Sequence, residues 1–270
     1  MKENIKENWI FNEFPQNCGD SLKVIRKLPI KRGTNYLYEC EFQKYPCKVK
    51  AQKGHILLGN VNNPLYPTIL NIACIGIGKY NFKDYSFIYK RYNDLLRRCY
   101  YKKSDRYYCY GAKGVVICDE WKNFQNFAAW YEENSYCEFL SVDKDILANI
   151  NHLETKIYSP ETCLLIPEEL NCWFIGDCVK AGIQYRNSNK KFYSEIGSKG
   201  TRTWLPPTFS FKESKLNYSF KKKSLLKNLL ENEYNYIPND IKEIILKYDF
   251  SWKWVWENMT EEEIINKFYK

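Results

Sequence analysis

The sequence predicts an α+β protein, and three observations predict it. Residues 1–78 and 181–205 carry short apolar or alternating runs broken by turn residues, the pattern of strands. Residues 85–131 and 211–269 carry apolar residues at three- and four-residue steps, the pattern of helices. Strands and helices are thus gathered into separate stretches, which favours small sheets with helices packed beside them. The chain of 270 residues suffices for one large domain or two to three small ones. The expected division is 1–78, 79–178 and 179–270: a small β-rich module, a central module, and a three-stranded sheet followed by helices.

In chain order, Leu22-Lys-Val-Ile, Tyr36-Leu-Tyr-Glu-Cys and Cys47-Lys-Val-Lys-Ala read as strands, with Lys31-Arg-Gly-Thr-Asn as a turn between the first two. Ile88, Tyr92, Leu95, Leu96 and Cys99 then place one apolar stripe on a helix, with Arg91, Arg97 and Arg98 off it. Tyr110-Gly-Ala-Lys-Gly reads as a turn, Val115-Val-Ile-Cys as a short buried strand, and Trp121 to Tyr131 as a second helix. Phe139-Leu-Ser-Val, the polar run 149–156 and the apolar Cys163-Leu-Leu-Ile predict that residues 140–167 form a short β-hairpin leading into a helix or helix-like turn, with Asp143 on the first strand and Cys163 in the core. Three short strands follow, at 181–185, 192–196 and 202–205. Helices are expected at 211–233, 239–249 and 260–269, the last opened by a Thr260/Glu263 capping box.

Composition narrows the class. An aromatic share of 17% with 44% hydrophobic residues can build a core, which excludes global disorder. The longest uncharged run, Ile56 to Gly78, contains Asn and Pro throughout and is no membrane span. The N-terminal residues lack an apolar leader, so a cytoplasmic protein with reduced thiols is expected. Eleven cysteines contain no Cys-x-x-Cys pair and only His55 and His152 accompany them, so no zinc site is expected.

The charges are sorted along the chain. Residues 180–227 hold 12 basic and 2 acidic residues, and residues 79–113 hold 10 basic and 3 acidic. Residues 119–177, by contrast, hold 3 basic and 12 acidic. Two basic stretches separated by an acidic one point to a polyanion touched at defined places.

Motifs give that polyanion a form. Gly182-Ile-Gln-Tyr-Arg, Lys191-Phe-Tyr-Ser-Glu-Ile and Gly200-Thr-Arg-Thr-Trp-Leu-Pro-Pro-Thr-Phe resemble the three strands of the plant ethylene-response-factor (ERF) type DNA-binding domain. The resemblance implies a sheet lying in the major groove of double-stranded DNA. It puts Arg186, Arg202 and Trp204 on the DNA face with Glu195 beside them; Tyr193 is a further expected contact, and Lys180, Lys190, Lys191 and Lys199 would neutralise phosphates. Pro206-Pro207 departs from the family, standing at its glycine turn and adding a residue. Ser214, Lys215 and Leu216 replace its helix alanines.

The middle of the chain resembles the bacteriophage HNH-type homing endonucleases. Tyr92-Asn-Asp-Leu-Leu-Arg-Arg-Cys-Tyr and Tyr107 to Phe127 look like the segment before their nuclease motif, with Arg97 and Arg98 as DNA contacts. Val142-Asp-Lys-Asp-Ile-Leu with Tyr158-Ser-Pro-Glu-Thr-Cys-Leu-Leu-Ile-Pro is similar to the motif itself, a ββα-like unit. The first region is similar to the zinc-ribbon-like head of some such proteins. There Tyr38-Glu-Cys keeps one cysteine of a pair, and Asn62-Asn-Pro stands where a second pair would sit. The implied location is the cytoplasm of an infected host cell.

An HNH nuclease needs a histidine base and one divalent metal held against the scissile phosphate. Here Lys144 stands where that histidine follows Asp143, and Thr162 where the motif has Asn. An ammonium with a pKa of about 10.4 accepts no proton at neutral pH. Lys144 could still clamp a phosphate. A displaced base would be His152, with Asp143 and Asp145, two apart on a strand, holding Mg²⁺ or Mn²⁺. The leading expectation is a duplex-DNA binder with a degenerate nuclease motif. The alternatives are an active metal-dependent endonuclease and an anti-host or protein-interaction factor on the same scaffold.

Overall fold

The computed structural model describes residues 9–153, 157–174, 176, 178–198 and 201–270. The chain is α+β, with small antiparallel sheets and helices, and divides into two compact units, Met1–Glu133 and Asn134–Lys270.

The first unit opens with a four-stranded antiparallel sheet in the order β1 (Glu13–Pro15), β2 (Ser21–Arg32), β3 (Asn35–Phe42), β4 (Lys48–Gln52). Leu22, Val24, Tyr38, Cys40, Phe42 and Ala51 are buried between it and the short helix α1 (Lys53–Leu57), which contributes Ile56. Beyond lies α2 (Ser86–Tyr100), whose Tyr92, Leu95, Leu96 and Cys99 form the buried stripe that the spacing predicts. The short strand β5 (Val116–Ile117) and α3 (Phe124–Asn134) follow. Tyr92 packs on Phe124 and Phe127 with ring centres 5.3 and 5.2 Å apart, so α2 and α3 are joined through aromatic rings.

In the second unit β6 (Leu140–Asp143) pairs antiparallel with β8 (Leu164–Pro167). Between them run the helix α4 (Asp145–Ile150) and β7 (Ile157–Tyr158); α5 (Glu168–Asn171) follows β8. A second sheet, β9 (Ile183–Arg186), β10 (Lys191–Ser198) and β11 (Thr201–Thr208), has the order β11-β10-β9. The long α6 (Phe211–Asn232) lies beneath it, followed by α7 (Asn239–Leu246), α8 (Lys253–Trp256) and α9 (Glu261–Phe268). The Thr260/Glu263 capping box expected for the last helix is present. No described helix is long and apolar enough to cross a membrane.

The two-unit division differs from the expected 1–78, 79–178 and 179–270. Its boundary falls inside the middle segment because residues on both sides of 179 share one core: Ile146, Ile166, Leu170 and Phe174 pack with Ile183, Phe192, Phe211 and Trp256. A buried apolar surface of that extent has no seam at which to part.

Candidate functional site

The β9–β11 sheet is two-faced. Phe192, Ser194 and Ile196 alternate inward along β10 and are buried, while Lys191, Tyr193, Glu195 and Gly197 alternate outward. Paired residues of an antiparallel sheet share a face. Lys191 faces Arg186, Tyr193 faces Gln184, Glu195 faces Trp204, and Gly197 faces Arg202. Arg186, Lys191, Tyr193, Arg202 and Trp204 therefore stand together on one surface, and Trp204 is 52% exposed there.

Neighbours orient these groups. The Arg186 guanidinium lies 4.0 Å above the Tyr193 ring, and the Asn189 side-chain amide donates to the Tyr193 hydroxyl at 2.7 Å. Arg202 Nε forms an ion pair with Glu195 Oε1 at 3.2 Å. The Lys191 ammonium sits 4.7 Å from the ring of exposed Phe209. Lys190, in the turn between β9 and β10, takes the left-handed conformation (φ 58°), and its N–H bonds the Arg186 carbonyl. Lys180 is exposed, and Lys199 lies outside the described residues.

The departures from the ERF pattern have local accommodations. Phe192 pairs with Thr208 but Ser194 with Leu205, so Pro206 and Pro207 together oppose Tyr193 in a β-bulge. They sit on edge strand β11, where proline is tolerated at bulges and on the side facing away from the sheet. Below the sheet, Ser214 bonds Ser194 hydroxyl to hydroxyl at 2.7 Å. Lys215 is wholly buried, and its ammonium donates to the carbonyls of Cys178 and Ala181 at 3.0 and 3.1 Å. This lysine fastens the chain entering β9. Gly182 (φ 72°) lets that chain pass over Tyr218, whose ring a β-carbon would strike.

The nuclease-like segment is built differently. Asp143 ends β6 with its side chain buried and accepts the N–H groups of Asp145 and Ile146 at 3.0 and 2.8 Å, capping the first turn of α4. Burial pushes its carboxyl up to about 7, with the Asp145 charge adding to the effect. Asp145 is not on a strand beside it, as expected, but opens α4: the captured N–H groups turn the chain at Lys144. Lys144 is itself buried and pairs with Asp145. His152 (φ 54°) stacks its ring on Trp254 at 4.1 Å and 16°. Thr162 Oγ1 donates to the Ile157 carbonyl at 2.7 Å and accepts the Ser159 N–H, holding its own turn. Cys163 is buried, and burial raises its thiol pKa.

Among the described residues, no group of three or more His, Cys, Asp or Glu side chains is placed to hold a metal ion. Asp143, Asp145 and His152 do not converge.

In the first unit, Arg97 is exposed with its guanidinium 5.0 Å from the Tyr101 ring. Arg98 is half-buried, bonding the Asp94 carbonyl and lying over Tyr110. At the zinc-ribbon-like position, Asn63 donates to the Asp20 carboxylate at 2.7 Å and to the Tyr45 carbonyl, and accepts from the Cys47 thiol. Asp20 also accepts the N–H groups of Ser21, Lys44 and Tyr45. Burial alone would raise its carboxyl pKa, but these four donors hold it below the ordinary value. Burial pushes the Cys40 thiol up to about 12, with Glu39 adding to it.

Comparison with protein-family models, with curated proteins and with solved structures finds no match for this chain in any of the three. The roles of three positions that shape the sheet escape sequence reading: Lys215 beneath it, Gly182 at the entry to β9, and Glu261. The Glu261 carboxylate accepts the Ser210 hydroxyl at 2.7 Å and the Phe211 N–H at 2.8 Å, so a residue of α9 helps cap α6. Only the glycine at 182, just ahead of a strand, offered a local signal.

Proposed function

We propose that the protein binds double-stranded DNA through the outer face of the β9–β11 sheet, and that it is a phage-type HNH homing-endonuclease relative whose nuclease segment no longer cleaves. The observation that carries this reading is the gathering of Arg186, Lys191, Tyr193, Arg202 and Trp204 on one solvent-facing surface of a sheet whose other face is core. A sheet of this kind fits the major groove, about 12 Å wide, and arginine is suited to paired contacts with guanine. The basic excess of residues 180–227 supplies attraction to phosphates.

Loss of cleavage is argued from the β6–α4 segment. A general base needs an acceptor nitrogen aimed at water, and a metal needs converging carboxylates. Asp143 is spent on two N–H groups, Lys144 on Asp145, and His152 on Trp254. Binding of a labelled random-sequence duplex across a salt series tests the first half: affinity should fall steeply as salt rises, in proportion to the phosphates neutralised. Salt-insensitive binding would favour a protein-interaction role instead. Incubation of supercoiled plasmid with Mg²⁺ or Mn²⁺ tests the second half, with no nicking expected. Nicking that disappears in Asp143→Ala would restore the active-endonuclease reading.

A further inference from the structure

One residue of the outer face has no role that the protein itself explains. Gly197 lies within β10, on the exposed side, opposite Arg202. Its backbone is not left-handed, so no conformational demand selects glycine. A β-carbon built there meets no described atom within 4 Å, so no packing demand selects it either. Glycine inside a strand weakens the strand, and one explanation of its presence is the close approach of another backbone or a ligand.

The hydrogen-bond pattern points the same way. The Glu195 N–H bonds the Gly182 carbonyl at 2.9 Å, on the β9 side of β10. Two residues on, the N–H and carbonyl of Gly197 face that same side by the alternation of an antiparallel strand. The ladder with β9 has ended by then, its last pair being Ser194 with Ile183. The backbone donor at Gly197 thus faces an edge past the end of β9, beside a position with no side chain. Arg202, directly across, leans along the sheet to Glu195. The space above Gly197 is open, a notch bounded on one side by the arginine across from it.

We propose that this notch seats a phosphodiester group of duplex DNA, with the Gly197 N–H donating to a phosphate oxygen and the missing side chain allowing the duplex to descend onto the sheet. The assignment rests on the DNA-binding reading above and locates the point of closest approach within it. A phosphate contact of this kind positions the duplex without reading its sequence. Because the donor is uncharged, its loss releases no counterion, so affinity changes while salt dependence does not.

Gly197→Ala and Gly197→Val in the full chain test this against a random-sequence duplex, with Arg202→Ala alongside. Both glycine variants should melt at or above the temperature of the parent protein, since a side chain suits a strand better than none. Affinity should fall in both, by roughly tenfold or more for valine, with the slope against salt unchanged. If valine prevents folding, alanine carries the test alone. Parent-like affinity in the glycine variants together with loss in Arg202→Ala would overturn the notch and leave the DNA reading standing. Parent-like affinity in all three would overturn both. A loss of affinity that follows a lowered melting temperature would also overturn the notch, because packing would then explain the glycine.

Discussion

On the outer face of the β9–β11 sheet Arg202 looks towards water; in the β6–α4 segment Asp143 and Lys144 look into the protein. Arg202 keeps 72% of its side chain exposed beside Glu195 at 18%, whereas Lys144 keeps 8% beside Asp145 at 44%. An exposed ion pair is worth little and opens readily when a phosphate competes for the arginine. Lys144 is buried, so it would be left uncompensated if Asp145 turned away, and this pair does not open for a ligand. Charge alone therefore does not mark a site. The cost of releasing it from its present partner does.

That contrast yields predictions, taken from the largest expected effect. Arg202→Ala and Trp204→Ala should each weaken duplex binding by about 1–3 kcal/mol while leaving the melting temperature unchanged; titration by fluorescence anisotropy beside thermal melts checks both halves. Asp143→Ala should do the reverse. Removing the acceptor for two buried N–H groups should cost about 2 kcal/mol of stability in urea, and the folded variant should bind duplex as before. A loss of binding there, with stability intact, would break the contrast.

Asp143→Asn sharpens it. Between the ordinary carboxylate value of 3.8 and about 7, the folded parent protein holds a proton that its unfolded chain has released. Its stability should fall as pH rises through that window and level off above it. The asparagine variant lacks this decline, so its urea midpoint should match the parent most closely in acid and gain on it towards alkaline pH. Smaller effects belong to the rim of the sheet. Lys190→Ala should weaken binding evenly across sequences and lower the salt slope by about one. Glu195→Gln removes the one carboxylate seen bonded on this face and frees Arg202, so it should raise affinity for random duplex by about two- to threefold.

What could be read from the sequence was what neighbouring residues decide together. The three strands of the second sheet, the stripe of α2 and the Thr260/Glu263 cap each announce themselves within a few residues. The six residues of α4 do not. Asp145 to Ile150 is too short for a period to register, and its start depends on where the buried Asp143 carboxylate points. Trp252-Lys-Trp-Val-Trp alternates like a strand, yet it enters a helical turn after a left-handed Trp252. There Trp256 is core and Trp254 supports His152. The outward set of Arg186, Arg202 and Trp204 follows from strand alternation once register is known. The roles of Asp143, Lys144 and Thr162 required their hydrogen-bond partners, which the motif alone did not name.

The tie between α9 and the sheet sets an order of events in biosynthesis. Glu261 bonds Ser210 across 51 residues, Tyr269 donates to the Ile183 carbonyl across 86, and the Tyr269 ring packs against Phe192 and Phe211. As a ribosome extends the chain, β9, β10 and β11 emerge before the residues that seal their inner face. Until Tyr269 is joined, the apolar underside of this sheet has no finished cover. A message truncated near codon 260 should thus yield a chain that displays every proposed DNA contact yet is a target for proteases, detectable as a loss of protein rather than a loss of affinity.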